Sequence, residues 1–417
     1  MRRRLRKPVW FRLAHGWADH PDHLKVTWGF DTWPEEQYYV VSQASLLKAG
    51  TAVRDALGAL VQNALDASKN GLTPFSDERE LGKLLGKLVD AGQSLYTAFF
   101  TPEPLDISTN QDPGGGNARA AEEWFRTEVD RERGGQVRVH FRVPTALTVP
   151  FGLMYSVGRL SKIPVSGAFT FDELQDFWCI KFLAYTTYAH SKPFFNDLTL
   201  SRAKTKLFAV FHDQERTNAE YETGLQWIAS LPFYTSPDEF STALKITNGC
   251  TRILYFYCHA SGNTLSLKAN TTDYNLSADR FRAQVFAESR GRKAKVYTIL
   301  NGCSTATSHD SNAGGLEDEA SWLHVTAQEP LRGFIGTETG VPNLFAWRFG
   351  LALLRQLLRG VPLDEAMLEL RRAHWPLSLL YSLYCYPELR LQSSTTDIFP
   401  DFPEGNFSKL PVGVELL

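Results

Sequence analysis

The sequence predicts an α/β protein: a mainly parallel sheet flanked by helices. Three observations carry this. Several apolar runs lack polar alternation, among them "KLFAVF", "ILYFYC" and "KVYTIL", as expected of strands buried on both faces. Stretches that read as helices separate the strands. Finally, 43% of the 417 residues are hydrophobic and 22% charged, enough apolar material for a large core.

Residues 1–23 begin "MRRRLRKPVWFRLAHGW" and are expected to form a basic arm. Pro8, Arg12 and His15 interrupt any apolar segment that a secretory signal would need. The arm suits an anionic partner, an organellar address or a frayed, solvated terminus. Residues 24–42 read as two strands around Pro34. From Gln43 to Phe100 the pattern is helical, with Leu57, Val61 and Leu65 in one stretch and Leu81, Leu84, Leu85, Leu88, Leu95 and Phe99 in the next. Asp77, with Glu80 three residues on, marks the start of the second helix.

Residues 110–123, "NQDPGGGNARAAEE", read as a loop followed by a short helix. "QVRVHFRV" alternates as a strand, and "VPTALTVPFGLMYS" reads as an extended crossing because of its two prolines. "FDELQDFWCIKFLAYTTYAH" is expected to be helical. After Arg202 the texture changes to apolar strands alternating with helices. Near the end, Leu344, Trp347, Leu351, Leu354 and Leu358 predict a helix stopped by Gly360 and Pro362. The next helix carries Asp364 and Glu365 in its first turn and Arg371 and Arg372 in its last, as the helix dipole favours.

The formal net charge of −2 provides no strong field for nucleic acid, so no direct nucleic-acid binding is expected. No run of eighteen apolar residues predicts a membrane span. The five cysteines are odd in number and contain no CxxC, which fits free thiols in a reducing compartment and predicts a cytoplasmic protein. A zinc site from Cys258, His259, Cys303 and His309 is rejected, because strand neighbours such as Cys258 and His259 face opposite ways. No metal or organic cofactor is expected.

Two apolar runs end on reactive side chains among small neighbours: "ILYFYCHASG" on His259 and "VYTILNGCSTA" on Cys303. Ligand crevices of parallel sheets lie outside the carboxyl ends of their strands. A thiol needs a base to become a nucleophile, and histidine serves best near neutral pH. A buried structural cysteine and a hydrogen-bonded surface histidine are the bland alternative. His212 also ends an apolar run, but Asp213, Gln214 and Glu215 follow it instead of small residues. His259 precedes Cys303 by 44 residues. That matches the histidine-first order of caspases, with about 50 residues between, and opposes the cysteine-first order of papain-like enzymes.

With these motifs the chain resembles the CHAT domain, a caspase-like peptidase of the clan that includes caspases and separases. "ILYFYCHASG" resembles the family's strand-plus-histidine motif, "LSLKANTTDYNLSADRF" the following hairpin, and "VYTILNGCSTA" the cysteine motif. The segment from "GFIGTETG" to "YCYPELRL" resembles the terminal strand, paired helices and aromatic close. "ELGKLLGKLVDAGQSLYTAFF" and "VPTALTVPFGLMYS" resemble earlier family segments, so the likeness spans about residues 80 to 391. It implies a caspase-like catalytic half at 203–391 behind a degenerate, pseudo-protease-like N-terminal half at 24–202, in agreement with the change of texture near Arg202, and leaves a tail at 392–417. It also implies His259 as general base, Cys303 as nucleophile, and an oxyanion hole from the backbone N–H groups of Cys303 and Ala260.

Two positions depart from the family pattern. Ala260 stands where many relatives have glycine, and Ser304 where an acidic residue is common. The family's pocket segments correspond here to His212–Asp213, the acidic stretch Ser308 to Glu319 and Glu338. Asp213, Asp310 and Glu338 are therefore candidate pocket acids that would select a basic residue, a solvated loop being the plain alternative for 308–319. The resemblance further implies a protein substrate and a role in bacterial antiviral defence or signalling. Because no repeat of fixed period is present, a regulatory or sensor subunit is expected in trans. A non-catalytic CHAT-like scaffold binding a partner protein is the alternative function; a nucleotide-binding domain would need a glycine-rich phosphate loop that the sequence lacks.

Overall fold

The computed structural model describes residues 9–15, 22–29, 38–102, 115–129, 137–144, 147–156, 174–188, 199–200, 205–211, 233–234, 251–261, 264–269, 272–289, 296–303, 305–306, 322–326, 331–385 and 389–391. The chain divides into two compact units, Met1–Leu60 with Asp77–His190 and Val61–Ser76 with Ser191–Leu417. The expected boundary at Arg202, the tail from 392, the stretch 308–319, and His212, Asp213 and Asp310 lie outside the described residues. Among the described residues, no helix is long and apolar enough to cross a membrane.

The first unit is built on strands β1 (Val9–His15), β2 (His23–Gly29), β3 (Tyr38–Ser42), β4 (Val139–Val143) and β5 (Tyr185–Tyr188), in spatial order β3-β2-β1-β4-β5. Pairing is antiparallel between β1 and β2 and between β2 and β3, and parallel between β1 and β4 and between β4 and β5. This corrects the expected arm over 1–23, since Val9–His15 is the middle strand of the sheet. Val9, Phe11 and Leu13 are fully buried at alternate positions, a period-two pattern obscured by the neighbouring arginines.

Helices α1 (Gln43–Lys69), α2 (Glu78–Phe100) and α3 (Gly115–Trp124) follow the first three strands. The Asp77 carboxylate caps α2 by accepting from the backbone N–H groups of Arg79 and Glu80 at 3.0 and 3.1 Å. Leu84, Leu85, Leu88, Val89, Leu95, Tyr96, Phe99 and Phe100 form the buried stripe of α2. The core is aromatic, with Phe141 stacked on Phe151 at 4.5 Å and Phe125 stacked on Trp178 at 4.4 Å. The crossing segment is extended apart from one 3-10 turn, Phe151–Leu153.

The helix expected across 171–190 is corrected too. Only the single turn α4 (Trp178–Lys181) is helical there within 178–188, and Leu183 at φ 46° precedes β5. The "YTTY" of β5 combines β-branched and aromatic residues that pack better on a sheet than on a helix.

In the second unit the strands are β6 (Thr199–Leu200), β7 (Thr205–Phe211), β8 (Phe233–Tyr234), β9 (Thr251–Tyr257), β10 (His259–Ser261), β11 (Thr264–Ala269), β12 (Thr272–Ser277), β13 (Val296–Asn301), β14 (Leu331–Thr337), β15 (Tyr381–Cys385) and β16 (Arg390–Leu391). The main sheet has order β15-β14-β13-β9-β7-β8 and is parallel except for β15. The β10–β11–β12 strands form an antiparallel sheet of their own.

Helices α5 (Ala278–Ser289), α6 (Trp322–Thr326), α7 (Asn343–Leu358) and α8 (Leu363–Ala373) complete this unit. Odd residues of β9 and β13 face α7, through the Tyr257–Trp347 ring contact and the Asn301 bond to Ala346. Even residues face α5 and α6, through Phe256–Phe281 and Phe281–Trp322. The fold is thus mixed α/β with sheets flanked by helices, and its second unit has the mainly parallel sheet that the unalternating apolar runs predict. Gly360 at φ 79° ends α7, where a side chain would be strained.

Candidate active site at the ends of β9 and β13

β9 and β13 are adjacent parallel strands whose last register pair is Tyr257 with Asn301. Each strand then runs two residues further to a reactive side chain, so His259 and Cys303 emerge at the same end of the sheet. Both line one small cleft, open to solvent, together with Cys258, Gly302, Val341 and Asn343. His259 is exposed and Cys303 half-buried. The Cys303 thiol points at the Val341 carbonyl, 3.9 Å away.

Gly302 is the contact point of the two strand ends. A Cβ there would lie 2.7 Å from the Cys258 carbonyl oxygen and 3.2 Å from the Ala260 methyl. The missing side chain at 302 therefore makes room for the methyl of Ala260, the position where the resemblance leads one to expect glycine. Cys258, the neighbour of His259, is buried; burial and, to a lesser extent, Cys303 push its thiol well above the ordinary range. A neutral buried thiol is no rival nucleophile.

The turn after Cys303 is fastened to the end of β14 by two buried threonines. Thr337 donates to the Gly302 carbonyl oxygen. Thr305 donates to Leu300 at 3.1 Å, its hydroxyl accepts from the Thr337 N–H at 3.0 Å, and the Ala306 N–H reaches Thr337 at 2.9 Å. These contacts restrain the backbone on both sides of the thiol. Sequence reasoning passed over them, and also over Asn301, Tyr255 and Tyr381 beneath the cleft; a polar residue closing an apolar run was the available signal at Asn301.

Glu338 is a correction. Its carboxylate is fully buried, accepts from the Tyr384 hydroxyl at 2.6 Å, and lies outside the cleft lining. Its backbone N–H donates to Leu380 at 2.8 Å. An acid committed to a buried tyrosine is not available to a substrate cation. Ala260 pairs with Leu265 in the hairpin beside the cleft. Among the described residues, no group of three or more His, Cys, Asp or Glu is placed to hold a metal ion.

No protein-family model matches the chain, and no curated protein sequence matches it. Solved structures do. One described as a protease shares 9% identity at a TM-score of 0.43, over 70% of this chain and 71% of the other. Separase of Saccharomyces cerevisiae, solved in complex with securin, shares 10% identity at a TM-score of 0.46 over 92% of this chain. This chain spans 30% of the separase chain's length. The Arg-specific cysteine proteinase gingipain R shares 9% identity at a TM-score of 0.38, over 68% of this chain and 70% of its own. At these values the comparisons add no weight to the site, which stands on the chain's own residues.

Proposed function

We propose that this chain is a cysteine endopeptidase working through a His259–Cys303 dyad. The observation that carries the reading is the delivery of a histidine and a half-buried thiol into one open cleft by two in-register parallel strands. In the reaction, His259 takes the proton of Cys303 and the thiolate attacks the peptide carbonyl. The backbone N–H groups of Cys303 and Ala260 receive the developing oxyanion. His259 then protonates the leaving amine, and water activated by the same imidazole hydrolyses the thioester. The steps require neither metal nor organic cofactor.

The CHAT-like motifs suggest the setting: a protein substrate, a regulatory subunit in trans, and regulated bacterial defence or signalling in the cytoplasm, whose reducing conditions keep a catalytic thiol free. Asp213 and Asp310 remain the proposed pocket acids. The test is to compare newly formed protein N-termini in native extracts, where a regulator is present, after adding the wild-type chain or Cys303→Ala. Cleavages confined to wild type, with a basic residue before the cut, are expected. Identical profiles would favour the scaffold reading, and a preference for Leu or Met before the cut would remove the acidic pocket.

A further inference from the structure

At the floor of the cleft lies a buried polar cluster that the dyad reading does not use. Asn301, the last residue of β13, is 1% exposed, and its carboxamide bonds to three other elements. The amide nitrogen donates to the Tyr255 hydroxyl of β9 at 2.8 Å and to the Ala346 carbonyl of α7 at 2.6 Å. The amide oxygen accepts from the Tyr381 hydroxyl of β15 at 2.5 Å. Both tyrosines are fixed in turn. Tyr381 stacks on Phe349 at 4.0 Å, and its carbonyl accepts from Arg371 at 2.9 Å. Tyr255 lies against α7 at Gly350, where a Cβ would come within 2.1 Å of its hydroxyl and 2.6 Å of the Asn301 nitrogen.

The residue type is dictated by this geometry. Aspartate offers no N–H donor for the Ala346 carbonyl, leucine would leave two buried hydroxyls without their partner, and glutamine adds a methylene to a filled site. The elements joined are the ones that wall the cleft: the end of β9 with Tyr257 and His259, the end of β13 with Cys303, and the first turn of α7 with Asn343 and Ala346. Tyr257 adds a parallel tie by donating to the Asn343 carbonyl at 3.1 Å. Only Gly302 separates Asn301 from Cys303, so a tilt at Asn301 passes directly to the thiol.

We propose that Asn301 is a positioning residue: clamped by Tyr255, Tyr381 and the Ala346 carbonyl, its carboxamide holds Cys303 in line with His259. The inference rests on the dyad reading. It assigns to a buried cluster at the floor of the cleft the alignment on which base and nucleophile depend, a small misalignment being costly in such pairs.

The test is the pH profile of Cys303 alkylation by iodoacetamide, read at that residue by mass spectrometry. It is run on the full chain as wild type, Asn301→Asp, Tyr381→Phe, His259→Ala and Phe281→Leu. Phe281 packs on the opposite face of the sheet and controls for lost stability alone. Tyr381→Phe and Asn301→Asp should react about tenfold more slowly than wild type near pH 7 and reach the wild-type rate at high pH, as His259→Ala does. Phe281→Leu should lower the melting temperature and keep the wild-type profile. If Asn301→Asp does not fold, Tyr381→Phe, which removes one oxygen atom, decides alone. Wild-type profiles in Tyr381→Phe and Asn301→Asp, with a shifted His259→Ala, overturn the positioning role and spare the dyad. A wild-type profile in His259→Ala overturns both, and an equal slowing in Phe281→Leu reduces the cluster to structure.

Discussion

The two units solve the same packing problem differently. In the first, rings dominate the middle of the sheet: Phe11, Phe99, Phe141, Phe151 and Trp178 fill the space with apolar surface, beside a buried His140–Thr187 hydrogen bond at 2.6 Å. In the second, the ends of the central strands are fastened by hydroxyls and a carboxamide, through Asn301, Tyr255, Tyr381, Thr305 and Thr337. Apolar packing is tolerant of small shifts, whereas hydrogen bonds fix distance and direction. Stability alone can be supplied by the former. Holding a thiol and an imidazole in register, as proposed for the second unit, calls for the latter.

Substitutions can break that contrast, and the largest stability effect belongs to the aromatic core. Phe141→Ala should cost about 3–5 kcal/mol, read as lost amide-exchange protection in β1, β4 and β5. Unchanged protection there would mean that the rings are not what closes the sheet. Gly350→Ala should cost about 1–3 kcal/mol by overpacking. A Cβ at that position meets the Tyr255 hydroxyl and the Asn301 nitrogen, so exchange should rise in α7 and at the end of β13. A silent Gly350→Ala would show that the polar cluster accommodates movement as readily as the aromatic core does. Smallest, Asp77→Ala should cost about 1 kcal/mol by uncapping α2, measured as a lower denaturant midpoint; no change would leave the start of α2 held by its apolar stripe alone.

The sequence made some of this legible and concealed the rest for physical reasons. The main sheet of the second unit was readable because buried parallel strands are continuous apolar runs, and so was the placement of His259 and Cys303 at one end of it, because the final residues of such runs stand out. Strand β1 was hidden because its alternation adjoins a block of arginines, and charge dominates composition in a short window. The stretch 171–190 misled because aromatic residues recur at helical spacing, although Leu183 adopts a positive φ and "YTTY" pairs in the sheet.

Glu338 misled for another reason. A carboxylate just after an apolar strand looks like a cleft acid until Tyr384, distant in sequence, is seen to bond it. The Asn301 cluster had the weakest sequence signal of all. Its tyrosines lie 46 and 80 residues away in the chain, and no local period reports a three-way contact of that kind.

The central claim is that His259 and Cys303 act together on a carbonyl, and covalent trapping tests it most directly. The chain is incubated in native extract with a basic-residue peptidyl acyloxymethyl ketone, which requires both a nucleophilic thiolate and an adjacent acid–base group, and the adduct is mapped by mass spectrometry. The account predicts a single adduct on Cys303, absent from Cys303→Ala and slowed about 10²- to 10⁴-fold in His259→Ala. An adduct on another cysteine, or one on Cys303 formed equally fast without His259, would contradict it.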